Sequence, residues 1–271
     1  MSDYAFRFGG IARLYGVAGL QRLQRARVMV VGIGGVGSWT VEALARSGVG
    51  HLILVDLDEV CVSNINRQAP ALDTTLGRAK ADVMAERTRA IHGDTRVDVH
   101  LEFFTESSAH RLLGLEPGAT ERPDVVVDAI DSVANKARLI ALCHSAKIPL
   151  VVCGGAGGRC DPTAVRVADL ARVTHDRLLS EVRKRLRRDH GFPRNDRQFG
   201  VECVCSAETP RFPAPDGTVC EQRPDSEPGE SLRLNCDSGF GSASFVTGAF
   251  GFAAAARAVS RIAAEPAVGT A

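Results

Sequence analysis

The sequence predicts an α/β fold: a mostly parallel sheet with helices on both faces, extended by antiparallel strands and ending in a Gly/Ala-rich helix. Three observations predict it. Between residues 28 and 158, short apolar runs rich in β-branched residues alternate with stretches of helical periodicity. The first run, Val28–Val31, enters a turn that holds Gly32, Gly34, Gly35 and Gly37. The second run, His51–Asp56, ends in an acid about 20 residues after that turn, where an open α/β sheet places an acid for ribose hydroxyls.

Before the first strand, Gly19–Ala26 reads as a helix with Leu20 and Leu23 on one face. Arg7 and Arg13 lie in the glycine-containing stretch ahead of it, and two readings stay open: a solvated N-terminal segment, or arginines that serve the phosphate turn of a partner subunit. Val28–Val31 is a buried strand, and Ser38–Ser47 is the helix behind the glycine turn. Glycine admits a close approach there, and the helix aims its N-terminal N–H groups and dipole back at the turn, which makes an anion site. Strand, glycine turn, helix, strand and acid together form a Rossmann-like mononucleotide unit.

After Asp56 come Asp58, Glu59 and the polar run Ser63–Gln68, in which Asn64 and Arg67 are candidates for a polyphosphate. Gly77–Lys80 opens a helix to about Ile91, with Arg78 and Lys80 in its first turn; cations there oppose the dipole unless an anion sits between them. Arg96–Phe103 alternates as a third strand, and Thr105–Leu115 reads as a short helix capped by Thr105. Pro123–Asp131 is the fourth strand, with Asp128 and Asp131 at its carboxyl end. The helix Ser132–Ala146 and the strand Pro149–Cys153 follow, then Gly154–Gly158. The pattern changes beyond that point. Thr163–Leu170 alternates as an antiparallel strand, Thr174–His190 is a helix capped by Thr174, and Val201–Ala207 is another strand. A mobile loop is expected at about 208–235, and a small-residue helix from about Ser238 to Ala264. The whole chain, 1–271, is expected to be one domain: a nucleotide-binding half at 28–158 and a substrate and dimer half at 159–271.

Composition narrows the function. A net charge of +1 on 271 residues excludes a chain built globally for nucleic acid, so any such contact must be local. The basic run Arg183–Arg197 is the local candidate, either a solvated face or a backbone-binding strip. Phe240–Val259 is nearly uncharged, but its Gly, Ala and Ser content suits a helix packed on a sheet rather than a membrane span. The N-terminus carries no apolar leader run, which leads to the expectation of a reducing, cytoplasmic setting with free thiols. Of the eight cysteines none forms a C-x-x-C pair, so no structural zinc is expected. Cys236, between Asn235 and Asp237, is either a thiol with a lowered pKa or a packed one.

The G-x-G-G-x-G turn, the acid after the second strand, N-x-x-R-Q at Asn64–Gln68, Lys80 and D-x-x-D at Asp128–Asp131 form a set. That set resembles the ubiquitin-activating-enzyme-like, or ThiF-like, superfamily of ATP-dependent adenylating enzymes. Phe6–Gly10 with Ala12–Gly16, Cys61–Gln68, Asp128–Val133, Gly154–Gly158, Asp216–Cys220 and Cys236–Gly241 resemble its tRNA-modifying dehydratases in particular. The resemblance implies ATP as co-substrate, with Gly32, Gly34, Gly35, Gly37, Asp56, Asp58, Asn64 and Gln68 around it. It implies Arg67, Lys80 and Asp131 as the catalytic set, Asp131 as the Mg²⁺ ligand, and Cys236 as a candidate for covalent or positioning work. Arg13 would reach the phosphates of the other subunit in a homodimer. The implied reaction is cyclodehydration of threonylcarbamoyladenosine in tRNA, next to the anticodon, through adenylation of the threonyl carboxylate. A monovalent cation, K⁺ or Na⁺, is associated with the family, as is a cysteine desulfurase or sulfur-acceptor partner. The alternative within the superfamily is an activator of a ubiquitin-like or sulfur-carrier protein, which the absent zinc pairs and the basic helix disfavour. An NAD-dependent oxidoreductase has no use for Asn64, Arg67 and Lys80 behind Asp56.

Overall fold

Side chains alternate in direction along strands that are buried on both faces, which fixes which residue meets which layer. The computed structural model describes residues 3–195, 197–214, 216–221 and 240–264. Two helices, α1 (Asp3–Arg7) and α2 (Gly9–Arg25), precede the first strand, β1 (Arg27–Val31). Helical structure therefore starts well before the expected Gly19. Gly16, with φ of 76°, kinks α2 without ending it, and glycine is the residue that takes this backbone at little cost. Tyr4, Phe8 and Leu20 form a small apolar cluster that seats this arm, and the Tyr4 hydroxyl donates to the Gly48 carbonyl at 2.5 Å.

The glycine turn leads into α3 (Gly35–Arg46), which begins three residues before the expected Ser38 and takes Gly35 and Gly37 into its first turn; β2 (His51–Val55), α4 (Lys80–Ile91) and β3 (Arg96–His100) follow. The third strand is shorter than expected. The helix predicted at Thr105–Leu115 contracts to α5 (Ala109–Leu112), because Ser108 turns its hydroxyl onto the Thr105 N–H and the Phe103 carbonyl. β4 (Val125–Asp128), α6 (Val133–Ala146) and β5 (Leu150–Cys153) complete the alternating part.

Next come β6 (Val165–Asp169), α7 (Arg177–Asp189) and β7 (Glu202–Ser206). Asp176, not Thr174, caps α7, accepting the Leu179 N–H at 2.9 Å; Thr174 instead accepts from Arg166. Within the expected loop, β8 (Phe212–Pro213) and β9 (Val219–Cys220) pair as an antiparallel ribbon, and the rest of that loop, 222–235, lies outside the described residues. The chain closes with α8 (Ser244–Ala263), which begins six residues after the expected Ser238.

The main sheet runs β3-β2-β1-β4-β5-β7-β6, parallel throughout except for β6, which pairs antiparallel with β7. Val28 and Val30 face one layer with Val41, Leu44, Met84, Phe250 and Ala254, from α3, α4 and α8. Met29 and Val31 face the other with Leu139, Ile140, Val182 and Leu186, from α6 and α7. Each such side chain contributes about 1.5–3 kcal/mol on burial, so β1 is anchored from both sides.

Small residues on α8 set how closely it crosses α3. A Cβ on Gly251 would stand 2.7 Å from the Trp39 Cβ and from the Val36 carbonyl oxygen. Among the described residues no helix is long and apolar enough to cross a membrane. Cys143 and Cys153 are buried, and burial pushes both thiols up to about 12, so they act as packing.

Candidate functional site

Parallel register brings the site together. Val31 at the end of β1 aligns with Val55 of β2 and Asp128 of β4, so the glycine turn, Asp56 and the turn Ala129–Asp131 emerge side by side at the carboxyl edge. Gly32 has φ of 89°, and a Cβ there would come 2.8 Å from the Ala129 carbonyl oxygen. A Cβ on Gly37 would stand 1.8 Å from the Gly32 oxygen. These two glycines are required by packing. Gly34 borders open space, a Cβ there lying 4.0 Å from Gln68 Nε2, whereas a Cβ on Gly35 would stand 3.1 Å from Thr247 Cγ2 and 3.8 Å from Arg67 Cγ. The α3 ladder begins with the Ser38 N–H on the Gly34 carbonyl, which leaves the preceding N–H groups for an anion.

Asp56 is buried and holds the turn itself. Its carboxylate accepts the Ile33 N–H and, at 2.7 Å, the Asp58 N–H. Burial raises its pKa, and the two backbone donors partly offset that rise. Lys80, also buried, donates to Asp58 Oδ2 at 2.9 Å. Arg78 does not share the first turn of α4: it precedes the helix and pairs with Glu86.

Asn64 is buried and accepts the Cys61 N–H at 3.1 Å, closing the tight turn that presents Arg67. Arg67 donates to the Ser63 carbonyl and, at 3.0 Å, to Asn66 Oδ1. Gln68 is buried with its Oε1 unpartnered among the described residues, a polar atom available to a ligand. Asp131 is exposed beyond β4, next to the glycine turn.

The fold therefore gathers Gly32, Gly34, Gly35, Gly37, Asp56, Asp58, Asn64, Arg67, Gln68, Lys80 and Asp131 at one edge. It does not bring Arg13 there within this chain. Arg13 is exposed on α2 and makes no side-chain hydrogen bond to another described residue. Cys236 lies outside the described residues.

The basic run is more neutralised than its sequence implies. Arg183 donates to the Leu170 and Val173 carbonyls, Arg187 to the Pro193 carbonyl, and Lys184, Arg185 and Arg188 pair with Glu181 and Asp189. Arg194 and Arg197 are its exposed cations with no side-chain partner among the described residues.

Sequence reasoning missed three groups. Lys136 has no exposed surface and donates to Asp128 Oδ1 at 2.9 Å, the Asp128 carbonyl at 3.3 Å and the Ile130 carbonyl at 2.9 Å. It thereby fixes the turn that carries Asp131. Trp39 Nε1 and Thr247 Oγ1 both donate to the Arg67 carbonyl, at 3.1 and 2.9 Å. No local signal marks them, since the partners lie 28 and 180 residues from Arg67.

The ThiF family matches residues 10–268. The tRNA threonylcarbamoyladenosine dehydratase of Escherichia coli is 47% identical over 262 residues, covering 96% of this chain and 95% of that protein. The dehydratase of the same name from Haemophilus influenzae is 42% identical, covering 97% of this chain and 95% of its own. The crystal structure of the E. coli dehydratase in complex with ATP superposes with a TM-score of 0.81 at 43% identity, covering 96% of each chain.

Proposed function

The chain belongs to the ThiF family, and from that premise we propose that it is an ATP-dependent tRNA threonylcarbamoyladenosine dehydratase. One observation carries this over other adenylating activities. The likeness to two bacterial dehydratases runs through both halves of the chain, including the half beyond the nucleotide-binding unit.

A carboxylate does not expel hydroxide readily. Attack of its oxygen on the α-phosphorus of ATP releases pyrophosphate and leaves AMP as a good leaving group on the acyl carbon. The carbamoyl group of the same residue then closes on that carbon and AMP departs, so the nucleoside has lost one water. Closure is intramolecular and gains from proximity. Arg67, with the first-turn N–H groups of α3, holds phosphate oxygens and stabilises the charge that grows during the first step. Lys80 and Asp58 form a pre-arranged polar pair next to Asp56, on the ribose side. Gln68 offers its free Oε1 to the nucleotide.

The residues fit Mg²⁺, which supplies charge neutralisation on the phosphates when bound. Among the described residues no three His, Cys, Asp or Glu gather as a metal cluster. Asp131 would be the protein ligand, with phosphate oxygens and water as the others, a donor set that Mg²⁺ favours. The same reading includes K⁺ or Na⁺, a homodimer in which Arg13 reaches the partner's phosphates, a cysteine desulfurase or sulfur-acceptor partner, and a cytoplasmic setting. Arg194 and Arg197, at the exit of α7, are its contacts to the tRNA backbone. The single-domain division, nucleotide-binding half 28–158 and substrate half 159–271, belongs to it too.

The test uses tRNA bearing threonylcarbamoyladenosine, incubated with protein, ATP and Mg²⁺, then digested gently and weighed as nucleosides. An ATP-dependent loss of one water is the expected result. An unchanged mass, with pyrophosphate exchange appearing only on addition of a carrier protein, would replace this reading with the carrier-activating one.

A further inference from the structure

Arg67 is held from behind, and the groups that hold it come from two distant parts of the chain. We propose that Trp39 and Thr247 are positioning residues: together they lock the Arg67 loop in the conformation that meets phosphate. The proposal rests on the reading of Arg67 as a phosphate-binding residue.

The geometry is a three-way joint. Successive residues at the start of α3 each tie it to a neighbour. Ser38 Oγ accepts the Ala69 N–H at 3.1 Å, Trp39 Nε1 donates to the Arg67 carbonyl, and the Thr40 hydroxyl sits between the Val36 carbonyl of its own helix, at 3.1 Å, and the Gly251 carbonyl of α8, at 3.2 Å. From the other side, Thr247 on α8 donates to the same Arg67 carbonyl, and Asn66 Nδ2 donates to the Ser242 carbonyl at 2.7 Å, just ahead of α8. Thr247 is buried, and its Cγ2 would lie 3.1 Å from a Cβ on Gly35. The glycine at the mouth of the phosphate turn thus makes room for the threonine that grips the arginine loop. Both lone pairs of one carbonyl are used, by donors from the nucleotide-binding half and from the far end of the chain.

An arginine that binds phosphate from only part of its conformational range loses apparent affinity in proportion to that fraction. Losing one hydrogen bond that holds the loop lowers the fraction by up to about tenfold. Side chains that never touch ATP thereby set how well ATP is bound.

The experiment compares wild type, Thr247→Val, Thr247→Ser, Trp39→Phe and Arg67→Ala as full-length protein. For each, ATP affinity is titrated and amide hydrogen exchange is followed over residues 63–69. Thr247→Val keeps the shape and removes the donor. It is expected to speed exchange in that segment and to weaken ATP binding by about three- to tenfold, while Thr247→Ser, which keeps the hydroxyl, stays within about twofold of wild type. Trp39→Phe, the second route should the valine variant not fold, is expected to give the same paired change. Faster exchange with unchanged ATP affinity would overturn the proposal, as would Thr247→Ser behaving like Thr247→Val, since packing alone would then explain the effect. Arg67→Ala separates the two failures. If it binds ATP as tightly as wild type, the reading of Arg67 is wrong and the proposal goes with it; if it weakens binding while the clamp variants do not, only the clamp is wrong.

Discussion

Two side chains at the site carry opposite kinds of consequence. Arg67 is partly exposed and its guanidinium bonds only locally, to Ser63 and Asn66, so truncation leaves no buried group unpaired. Arg67→Ala should therefore change unfolding free energy by no more than about 0.5 kcal/mol. If Arg67 holds phosphate as proposed, ATP-dependent turnover should fall by about a hundredfold or more. Denaturant melts beside a turnover assay check both halves, and full activity would remove Arg67 from the catalytic set. Asp56 is different. Two backbone N–H groups end on its carboxylate. Asp56→Asn keeps only one acceptor oxygen, so one buried N–H is left facing an amide donor, at a cost of about 1–3 kcal/mol. Stability and ATP affinity should fall together in that variant. An Asp56→Asn protein as stable as wild type would show that the turn does not depend on the carboxylate.

The turn that carries Asp131 depends on a charge with no exposed surface. Asp128 and Lys136 pair wholly inside the fold, a costly arrangement that apolar side chains of similar volume would replace at little loss. Its value lies in the two backbone carbonyls that the Lys136 ammonium also takes. Lys136 intact with Asp128→Leu should lose about 3–5 kcal/mol, since the ammonium is left buried and unpaired. The pair Asp128→Leu with Lys136→Met should recover most of that stability yet raise the Mg²⁺ concentration needed for half-maximal turnover. Recovery of stability without any change in Mg²⁺ dependence would make the pair purely structural. None of this was legible from the sequence, where nothing sets Lys136 apart within the helix Ser132–Ala146. By contrast the run from β1 through α3 to β2 was legible, because its strands are short apolar blocks and its glycines sit where a Cβ would meet Gly32 or Ala129. Reading failed where local chemistry was shared among neighbours. Asp176 took the cap expected of Thr174, and Ser108 shortened α5. The kinked α2 was hidden by its glycines. Asn64, Arg67 and Lys80 were expected as a set through resemblance and the fold gathers them at one edge, but Trp39 and Thr247 reach Arg67, and Lys136 the turn before Asp131, only through tertiary contacts.

The exposed surface also bears on how many chains build one site. Phe6, Leu14 and Val17 are 80%, 76% and 67% exposed on the N-terminal helices, on either side of Arg13 in sequence. Large apolar side chains left open beside a cation with no side-chain partner among the described residues suit burial against a second copy. If Arg13 of one subunit completes the phosphate site of the other, each site of the homodimer takes Arg67 from one chain and Arg13 from its partner. Arg13→Ala and Arg67→Ala homodimers are then both inactive. Unfolding, mixing and refolding the two in equal amounts makes half of the dimers mixed. In a mixed dimer one site collects both substitutions and the other collects neither, so about a quarter of all sites should be wild type. Recovery to about a quarter of wild-type turnover, from two parents that are each inactive, is the expected outcome. Retention of activity by the Arg13→Ala homodimer, or no recovery on mixing with dimers confirmed by light scattering, would place Arg13 outside the partner's site. The same samples distinguish shared sites from mere association, because a dimer whose sites are each built from one chain can form mixed pairs but cannot restore an intact site in any of them.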